Sequence, residues 1–382
     1  MPKQQTFERP IMIAAGGTGG HVYPGLAVAK ELEARGVRIV WMGTHNGLEA
    51  RVIPEANIEM AWLNITGLRG KGVTTLLLAP IRLLMALGQS FAIMLKHKPA
   101  AVLGMGGFVA GPGGLLAALM AKPVLIHEQN AVAGLTNRLL SRVAKKVLEA
   151  FPNTFDMDKV VSVGNPVRKE ITQIAEPKQR LANRQGKIRL LIVGGSLGAL
   201  ALNQTVPKAL ALLDKSIRPE VIHQAGKRTY DTATQAYIDA GVEAKVVPYI
   251  EDMAEIYTWA DLVICRAGAM TISELAAAGV ASVLVPFPHA VDDHQTANAR
   301  YLSDQGAALL CPQSEMTAAS LAEDLGKLLS DRQTILDMSE RARALAKPEA
   351  TQQVADYCMQ FAGFTDSINE LGTKNNNKEK QA

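Results

Sequence analysis

The sequence predicts an α/β protein built as two doubly wound parallel-sheet domains facing each other across a cleft. Three observations carry that expectation. Short apolar runs alternate with helical patterns along most of the 382 residues, the signature of consecutive βα units. A glycine-rich turn follows an apolar run twice, as Ile-Met-Ile-Ala-Ala-Gly-Gly-Thr-Gly-Gly-His at 11–21 and as Leu-Leu-Ile-Val-Gly-Gly-Ser-Leu-Gly-Ala at 190–199. The chain is also too long for one ordinary core, and a polar stretch with Pro and Gly at 176–186 interrupts the alternation like a linker.

In the first half the patterns predict strands at 10–15, 37–43, 58–63, 101–104 and 123–127. Helices are expected at 24–35, 48–56, 73–97, 113–121 and 133–143. In the second half strands are expected near 188–193, 219–223, 244–248, 261–265, 281–285 and 307–310, and three helical patterns close the chain. The expected domains are 1–175 and 187–348, joined by the 176–186 linker. A last helix at 349–363 is expected to pack back toward the first domain, and the Lys- and Asn-rich segment 364–382 reads as disordered.

Composition narrows the class. Hydrophobic residues make up 48% and charged residues 20%, as in a globular protein. Aromatics are only 5%, which disfavours stacking on nucleic-acid bases, so no nucleic-acid partner is expected. Of the net charge of +4, residues 60–127 hold six cations (Arg69, Lys71, Arg82, Lys96, Lys98 and Lys122) and no acid, leaving −2 for the rest. Cys265, Cys311 and Cys358 form no CxxC pair and read as buried apolar residues of a reducing compartment. The first residues lack a signal-peptide core, so a cytoplasmic location is expected. Two apolar stretches mimic membrane spans. In 73–95 a central Arg82 costs about 2.5–3.5 kcal/mol on insertion. In 99–121 six glycines and two prolines favour strand, loop and helix.

The glycine turns carry the chemistry. Gly16-Gly17-Thr18-Gly19-Gly20-His21 can present backbone N–H groups to an anion at a helix start. It is not a dinucleotide fingerprint, because Val22 stands where the last glycine is required and the second strand ends without a ribose-binding acid. No Walker A motif is present. A second cluster, Gly104 to Gly114, reads either as a second anion loop or as a flexible surface loop. As anion loops, the two make Gly16, Gly17, Gly106, Gly107, Gly111 and Gly113 the candidate diphosphate contacts. His21 stands where loop becomes helix. It reads as a base for a hydroxyl nucleophile or as a capping histidine.

In the second half, the hydroxyl and amides of Gly194-Gly195-Ser196-Leu197-Gly198-Ala199 suit one phosphate group. Arg266 to Glu274 follow a strand. Arg266 supplies charge, and Glu274 reads as a ribose reader or as an acid favourable to the helix dipole. Gln295 and Asn298 share a helix face and suit sugar hydroxyls. His289, Asp292, Asp293 and His294 match no zinc spacing, so no metal is expected.

Seven motifs, in order over residues 10–360, resemble the MurG family of bacterial glycosyltransferases. They are the loop ending in His21, the Gly106–Gly114 segment, His127-Glu128-Gln129-Asn130, Gly164-Asn165-Pro166-Val167-Arg168, Gly194–Ala199, Arg266–Glu274 and Asp293–Asn298. The resemblance implies a two-domain, Rossmann-like fold of the GT-B type. It implies inverting, metal-independent transfer of N-acetylglucosamine from UDP-N-acetylglucosamine to lipid I, the undecaprenyl-diphosphate-linked N-acetylmuramyl-pentapeptide, with no cofactor. Arg168 and Ser196 are then donor-diphosphate contacts, and the Ile250 backbone meets the uracil. Ala269, Met270, Thr271, Ile272, Ser273 and Glu274 form the helix start at the phosphates, with Glu274 on the ribose. Thr18, Gly19, Gly20 and Asn130 approach the transferred sugar, and His21 is the candidate base. Phe108 stands where members often have Tyr, and Ala267 where some have Ser, so no hydroxyl is available at either position. The resemblance also implies peripheral attachment to an anionic membrane surface, on the cytoplasmic face of the inner membrane, and partners in a cell-wall synthesis complex. Rival readings are a related transferase with another acceptor and a non-catalytic sugar-nucleotide-binding scaffold.

Overall fold

A computed structural model describes residues 7–65, 79–195 and 198–364. They form two compact units, one comprising the chain up to Pro166 and again from Glu349, the other Val167–Pro348.

The first unit is built on a seven-stranded sheet in the order β3-β2-β1-β4-β5-β6-β7. Its strands are β1 (Ile11–Ala15), β2 (Ile39–Thr44), β3 (Glu59–Leu63), β4 (Ala101–Gly106), β5 (Val124–Glu128), β6 (Lys146–Glu149) and β7 (Val160–Ser162). All neighbours pair in parallel. Helices α1 (Gly19–Ala34), α2 (Glu49–Glu55), α3 (Ala79–His97), α4 (Gly107–Leu119) and α5 (Leu135–Leu140) complete its βα units. Ile11, Ile13, Trp41 and Leu103 fill the core on one face of the sheet, and Met12, Met42, Val102 and Val124 fill the other. Burial on both faces explains why the central strands read as unbroken apolar runs.

The second unit repeats the plan with six parallel strands in the order β10-β9-β8-β11-β12-β13. They are β8 (Arg189–Val193), β9 (Glu220–Gln224), β10 (Lys245–Val247), β11 (Leu262–Cys265), β12 (Ala281–Leu284) and β13 (Ala308–Leu310). Its helices are α6 (Lys169–Thr172), α7 (Pro177–Leu181), α8 (Leu200–Leu212), α9 (Tyr230–Ala240), α10 (Met253–Trp259), α11 (Ala269–Ala278), α12 (His294–Ser303), α13 (Ala318–Leu329) and α14 (Arg332–Ala344). A last helix, α15 (Ala350–Ala362), belongs to the first unit and packs on α1, where Arg35 pairs with Asp356.

Strand order fixes where the chemistry sits. The first sheet reverses direction between β1 and β4, the second between β8 and β11. In open α/β sheets ligands bind beyond the carboxyl ends of the strands at such a switch point. The Gly16–Gly20 segment follows β1, Gly106 ends β4 and Gly107 follows it, while Gly194–Gly195 and Arg266–Gly268 follow β8 and β11.

Several elements differ from the sequence expectation. The short strands β6 and β7, four and three residues long, offer too little chain for a periodicity. Helix α1 starts at Gly19, five residues before the expected start, and carries Pro24 inside it. Helix α4 starts at Gly107 rather than 113, so Gly111, Pro112, Gly113 and Gly114 are helical. The glycines there serve packing: a Cβ on Gly113 would lie 2.6 Å from Met42 Sδ, and one on Gly114 2.9 Å from Leu140. The expected linker lies within the second unit. Its Pro177 is buried at the start of α7, Arg180 donates to the Ala260 and Gly279 carbonyls at 2.6 Å each, and Arg184 donates to Thr258. Its polar residues are anchors, and burial pushes the Arg180 guanidinium down to about 10. Phe364, expected to open the tail, is buried and stacks on Phe7 at 4.3 Å. Residues 365–382 of that tail, residues 73–78 of the expected 73–97 helix, and Arg69 and Lys71 of the basic stretch lie outside the described residues.

Candidate active site

In the first unit the loop after β1 is anchored from below. Gly16 is buried, and a Cβ there would fall 2.6 Å from Glu49 Oε1 and 2.8 Å from Val109. Gly17, at φ +97°, donates its amide to Glu49 Oε2 at 3.0 Å. Neither is open to an anion, which corrects the diphosphate role expected of this pair. The exposed part of the loop is Thr18, with half-buried Gly19, Gly20 and His21 in the first turn of α1. The amides of His21 and Val22 bond the Thr18 carbonyl. Those of Gly19 and Gly20 stand at the helix start, where no intrahelical acceptor exists.

The second glycine segment is the start of α4 and a platform for His21. Gly106, at φ +100°, lies so close that a Cβ would come 2.9 Å from His21 Cε1. A Cβ on Gly107 would meet the Gly16 carbonyl at 2.5 Å, so the two segments abut. Gly111 and Gly113 lie inside the helix with their amides spent in it, and Gly113 is buried. Both are therefore removed from the candidate diphosphate contacts.

His21 ends a hydrogen-bonded line that sequence reasoning missed. His21 Nδ1 lies 2.7 Å from Gln129 Oε1, Gln129 Nε2 lies 2.9 Å from His127 Nδ1 and 3.1 Å from the His127 carbonyl, and His127 Nε2 lies 2.9 Å from the Gly164 carbonyl. Gln129 and His127 are buried, and burial pushes the His127 imidazole down to about 4. The signal was present in the His127–Asn130 motif, but nothing in one dimension tells which member faces His21.

Glu128, the acid of the same motif, is fully engaged. Its Oε1 accepts from the Asn130 amide and Nδ2, and its Oε2 from the Gly134 amide and Asn137 Nδ2, at 3.0–3.3 Å. It is 1% exposed, so it fixes Asn130 at the end of β5 and is not positioned to take a substrate proton.

In the second unit Glu274 organises the site. Its Oε1 accepts from Arg168 Nη2 at 3.1 Å and its Oε2 from the Tyr257 hydroxyl at 3.2 Å. Burial raises the carboxyl above the usual range, against the pull of Arg168. Arg168 lines a depression of about 410 Å³ with Glu170, Glu251 and Asp252. Ile250 adjoins it, and its backbone N–H and C=O carry no hydrogen bond among the described residues.

Other expected donor contacts are redistributed. At the start of α11, Ile272 is wholly buried with its amide on the Gly268 carbonyl, and the Ser273 hydroxyl bonds the Ala269 carbonyl. Ala269 is nearly buried, while Met270 and Thr271 are half-buried in the first turn. Arg266 does not stand free for a phosphate. It donates to the Val285 and Pro286 carbonyls and to Gln313 Oε1, and lies over the Phe287 ring at 5.5 Å. Asn298 is 0% exposed and bonds the Ala267 carbonyl, so it is a brace and does not read a sugar. Gln295 is half-buried, and its Oε1 accepts from the Phe287 amide at 2.9 Å. Just before α12, Asp292 and Asp293 both take left-handed φ values of +54° and +48°, a conformation costly for non-glycine residues. Ser196 lies outside the described residues. Among the described residues no three His, Cys, Asp or Glu side chains gather as a metal site would need.

Comparison with known proteins decides the family. Residues 11–149 match the glycosyltransferase family 28 N-terminal domain, and residues 189–354 its C-terminal domain. The chain belongs to this family. It is 54% identical over 93% of its length, and 98% of the relative's, to the UDP-N-acetylglucosamine–N-acetylmuramyl-(pentapeptide) pyrophosphoryl-undecaprenol N-acetylglucosamine transferase of Marinobacter nauticus. It is 53% identical to the transferase of the same name from Nitrosococcus oceani, over 92% of this chain and 98% of that one. Among solved structures it is similar to Acinetobacter baumannii MurG, with a TM-score of 0.81 and 46% identity over 92% of this chain and 99% of that one. The family's two-domain α/β fold extends to a kitacinnamycin glycosyltransferase at 18% identity and a TM-score of 0.67, over 92% of this chain and 99% of that one. That likeness concerns the fold alone.

Proposed function

We infer that the protein transfers N-acetylglucosamine from UDP-N-acetylglucosamine to the C4 hydroxyl of undecaprenyl-diphosphate-N-acetylmuramyl-pentapeptide, converting lipid I to lipid II in peptidoglycan synthesis. The observation that carries the reading is a histidine at one switch point and a carboxylate–arginine pair at the other, in a chain of this family. The first unit is the acceptor and membrane unit, and the second binds the donor. Transfer is inverting and needs neither metal nor cofactor. The acceptor oxygen attacks C1 of the sugar, its proton passes to His21, the C1–O bond to the diphosphate breaks, and UDP leaves with the electron pair. The leaving charge is met by Arg168, Ser196 and the first-turn amides of Met270 and Thr271. Fixed donors of this kind stabilise developing charge without reorganising.

Glu274 reads the ribose, the Ile250 backbone the uracil and Gln295 the sugar. Thr18, Gly19, Gly20 and Asn130 serve the transferred sugar. The acceptor diphosphate falls to the helix starts at Gly19–Gly20 and Gly107.

The protein attaches peripherally to an anionic membrane, on the cytoplasmic face of the inner membrane, where cell-wall synthesis partners also act. Helices α3, α4 and α5 pack side by side and expose Leu84 (69%), Leu119 (73%) and Leu135 (54%). Lys96, Lys98, Arg138 and Arg142 lie exposed on the same helices or just beyond them. Among the described residues no helix is long and apolar enough to cross a membrane.

The deciding experiment mixes the protein with UDP-N-acetylglucosamine and a short-chain lipid I analogue, with and without EDTA. UDP release with a β-linked disaccharide product in both arms is expected. No UDP release would refute the transferase reading. Loss with EDTA that Mg²⁺ restores would refute metal independence.

A further inference from the structure

We propose that Gln129 holds His21 in one tautomer, with the proton on Nδ1 and the lone pair on Nε2, and that His127 and the Gly164 carbonyl set which way the Gln129 amide faces. The proposal rests on His21 as the base, and it names the atom that receives the proton and the positioning residues behind it.

The derivation starts at Gly164. A carbonyl oxygen only accepts, so His127 Nε2, 2.9 Å away, carries a hydrogen. His127 is wholly buried and, pushed down to about 4, is neutral at pH 7. Its Nδ1 is therefore a lone-pair acceptor. The Gln129 group facing that nitrogen at 2.9 Å and the His127 carbonyl at 3.1 Å must be the NH₂. The reversed amide would set an oxygen against two acceptors and leave both unpaired. Gln129 Oε1 consequently faces His21, and His21 Nδ1 at 2.7 Å must donate to it. A neutral imidazole has one N–H, so Nε2 is left with the lone pair.

Two further contacts hold the line in register. Asn165 Nδ2 donates to the Gln129 carbonyl at 3.0 Å. Gly106 leaves the space its Cβ would take from the His21 ring, 3.0 Å from Nδ1. A neutral amide as the orienting acceptor also has a chemical consequence. The amide fixes the direction of the ring without placing a second charge beside it.

The test uses the full-length protein labelled with ¹⁵N-histidine, with two-bond ¹H–¹⁵N correlation spectra at pH 8 and the His21 signals assigned by their loss in His21→Gln. The expected wild-type pattern is Nδ1–H with a bare Nε2, lost in Gln129→Leu. Gln129→Leu should also lower kcat about 10- to 100-fold, with both KM values within about threefold of wild type. An Nε2–H pattern in the wild type, or a Gln129→Leu enzyme with unchanged kcat, would overturn the proposal. His21→Gln with undiminished kcat would instead overturn the base assignment, while the spectra still report the tautomer by themselves.

Discussion

Glu49 accepts a hydrogen bond from the backbone amide of Gly17 at 3.0 Å, and the same carboxylate takes both the amide and the hydroxyl of Thr44, at 3.0 and 2.8 Å. The side chain is fully buried. One acid thus ties the glycine turn after β1 to the end of β2, and it explains why glycine stands at 16 and 47, where a Cβ would strike its oxygens. Removing it strands three donors, each costing about 1–3 kcal/mol when left unsatisfied in the interior. Glu49→Ala is expected to lose about 3 kcal/mol or more of unfolding free energy in urea. A midpoint equal to wild type would show that the turn is held by something else.

Glu274 separates binding from stability. Glu274→Ala removes the partner of Arg168 and also strands the Tyr257 hydroxyl, which is 1% exposed. Glu274→Gln keeps an oxygen for Tyr257 and loses the charge. Both variants should lower donor kcat/KM by about 1.5–3 kcal/mol, the range for a hydrogen bond to a charged group. Only the alanine variant should also unfold earlier. Unchanged donor kcat/KM in both would remove Glu274 from the ribose.

Most strands and the two turn regions were legible in the sequence because burial on both faces writes an unbroken apolar run, and a turn into a helix writes glycines. What was not legible is what those residues face. Glycine at 113 reads like glycine at 19, yet one packs on Met42 inside a helix and the other opens a helix start. Arg266 and Asn298 have the chemistry of ligand contacts, but the fold spends them on the Val285, Pro286 and Ala267 carbonyls. Gln129 and Glu49 act through partners 108 and 32 residues away along the chain, a separation no local pattern encodes.

The apolar face of α3 to α5 is the proposed lipid-docking surface. Leu84 and Leu119 are the most exposed of its leucines. Leu84→Asp with Leu119→Asp should reduce flotation with anionic vesicles while leaving turnover of a soluble, short-chain acceptor intact. Each basic residue near such a surface contributes about 1 kcal/mol, so binding should also fall with added salt. Flotation indifferent to both substitutions and salt would place the docking surface elsewhere.

The last prediction concerns acid. His223 is fully buried in β9, with Nε2 3.0 Å from Asn203 Oδ1 and Nδ1 3.0 Å from the Tyr237 hydroxyl. The Asn203 amide is oriented by its NH₂, which donates to the Ala225 and Thr229 carbonyls. Its oxygen therefore accepts, His223 Nε2 carries the hydrogen, and Nδ1 accepts from Tyr237. Burial pushes this imidazole down to about 3, against about 6.5 in an unfolded chain. Across that window the unfolded state binds a proton that the native state refuses, so stability is complete above about pH 6.5 and drains away as pH falls toward 3. One such histidine contributes a slope of up to about 1.4 kcal/mol per pH unit, and His127 adds another until about pH 4. Urea unfolding measured from pH 7 to pH 5 should show this loss. His223→Gln, with no titrating group, should flatten it by up to about 1.4 kcal/mol per pH unit even though its stability at pH 7 is lower. An undiminished slope in that variant would mean that His223 takes up its proton within the folded protein.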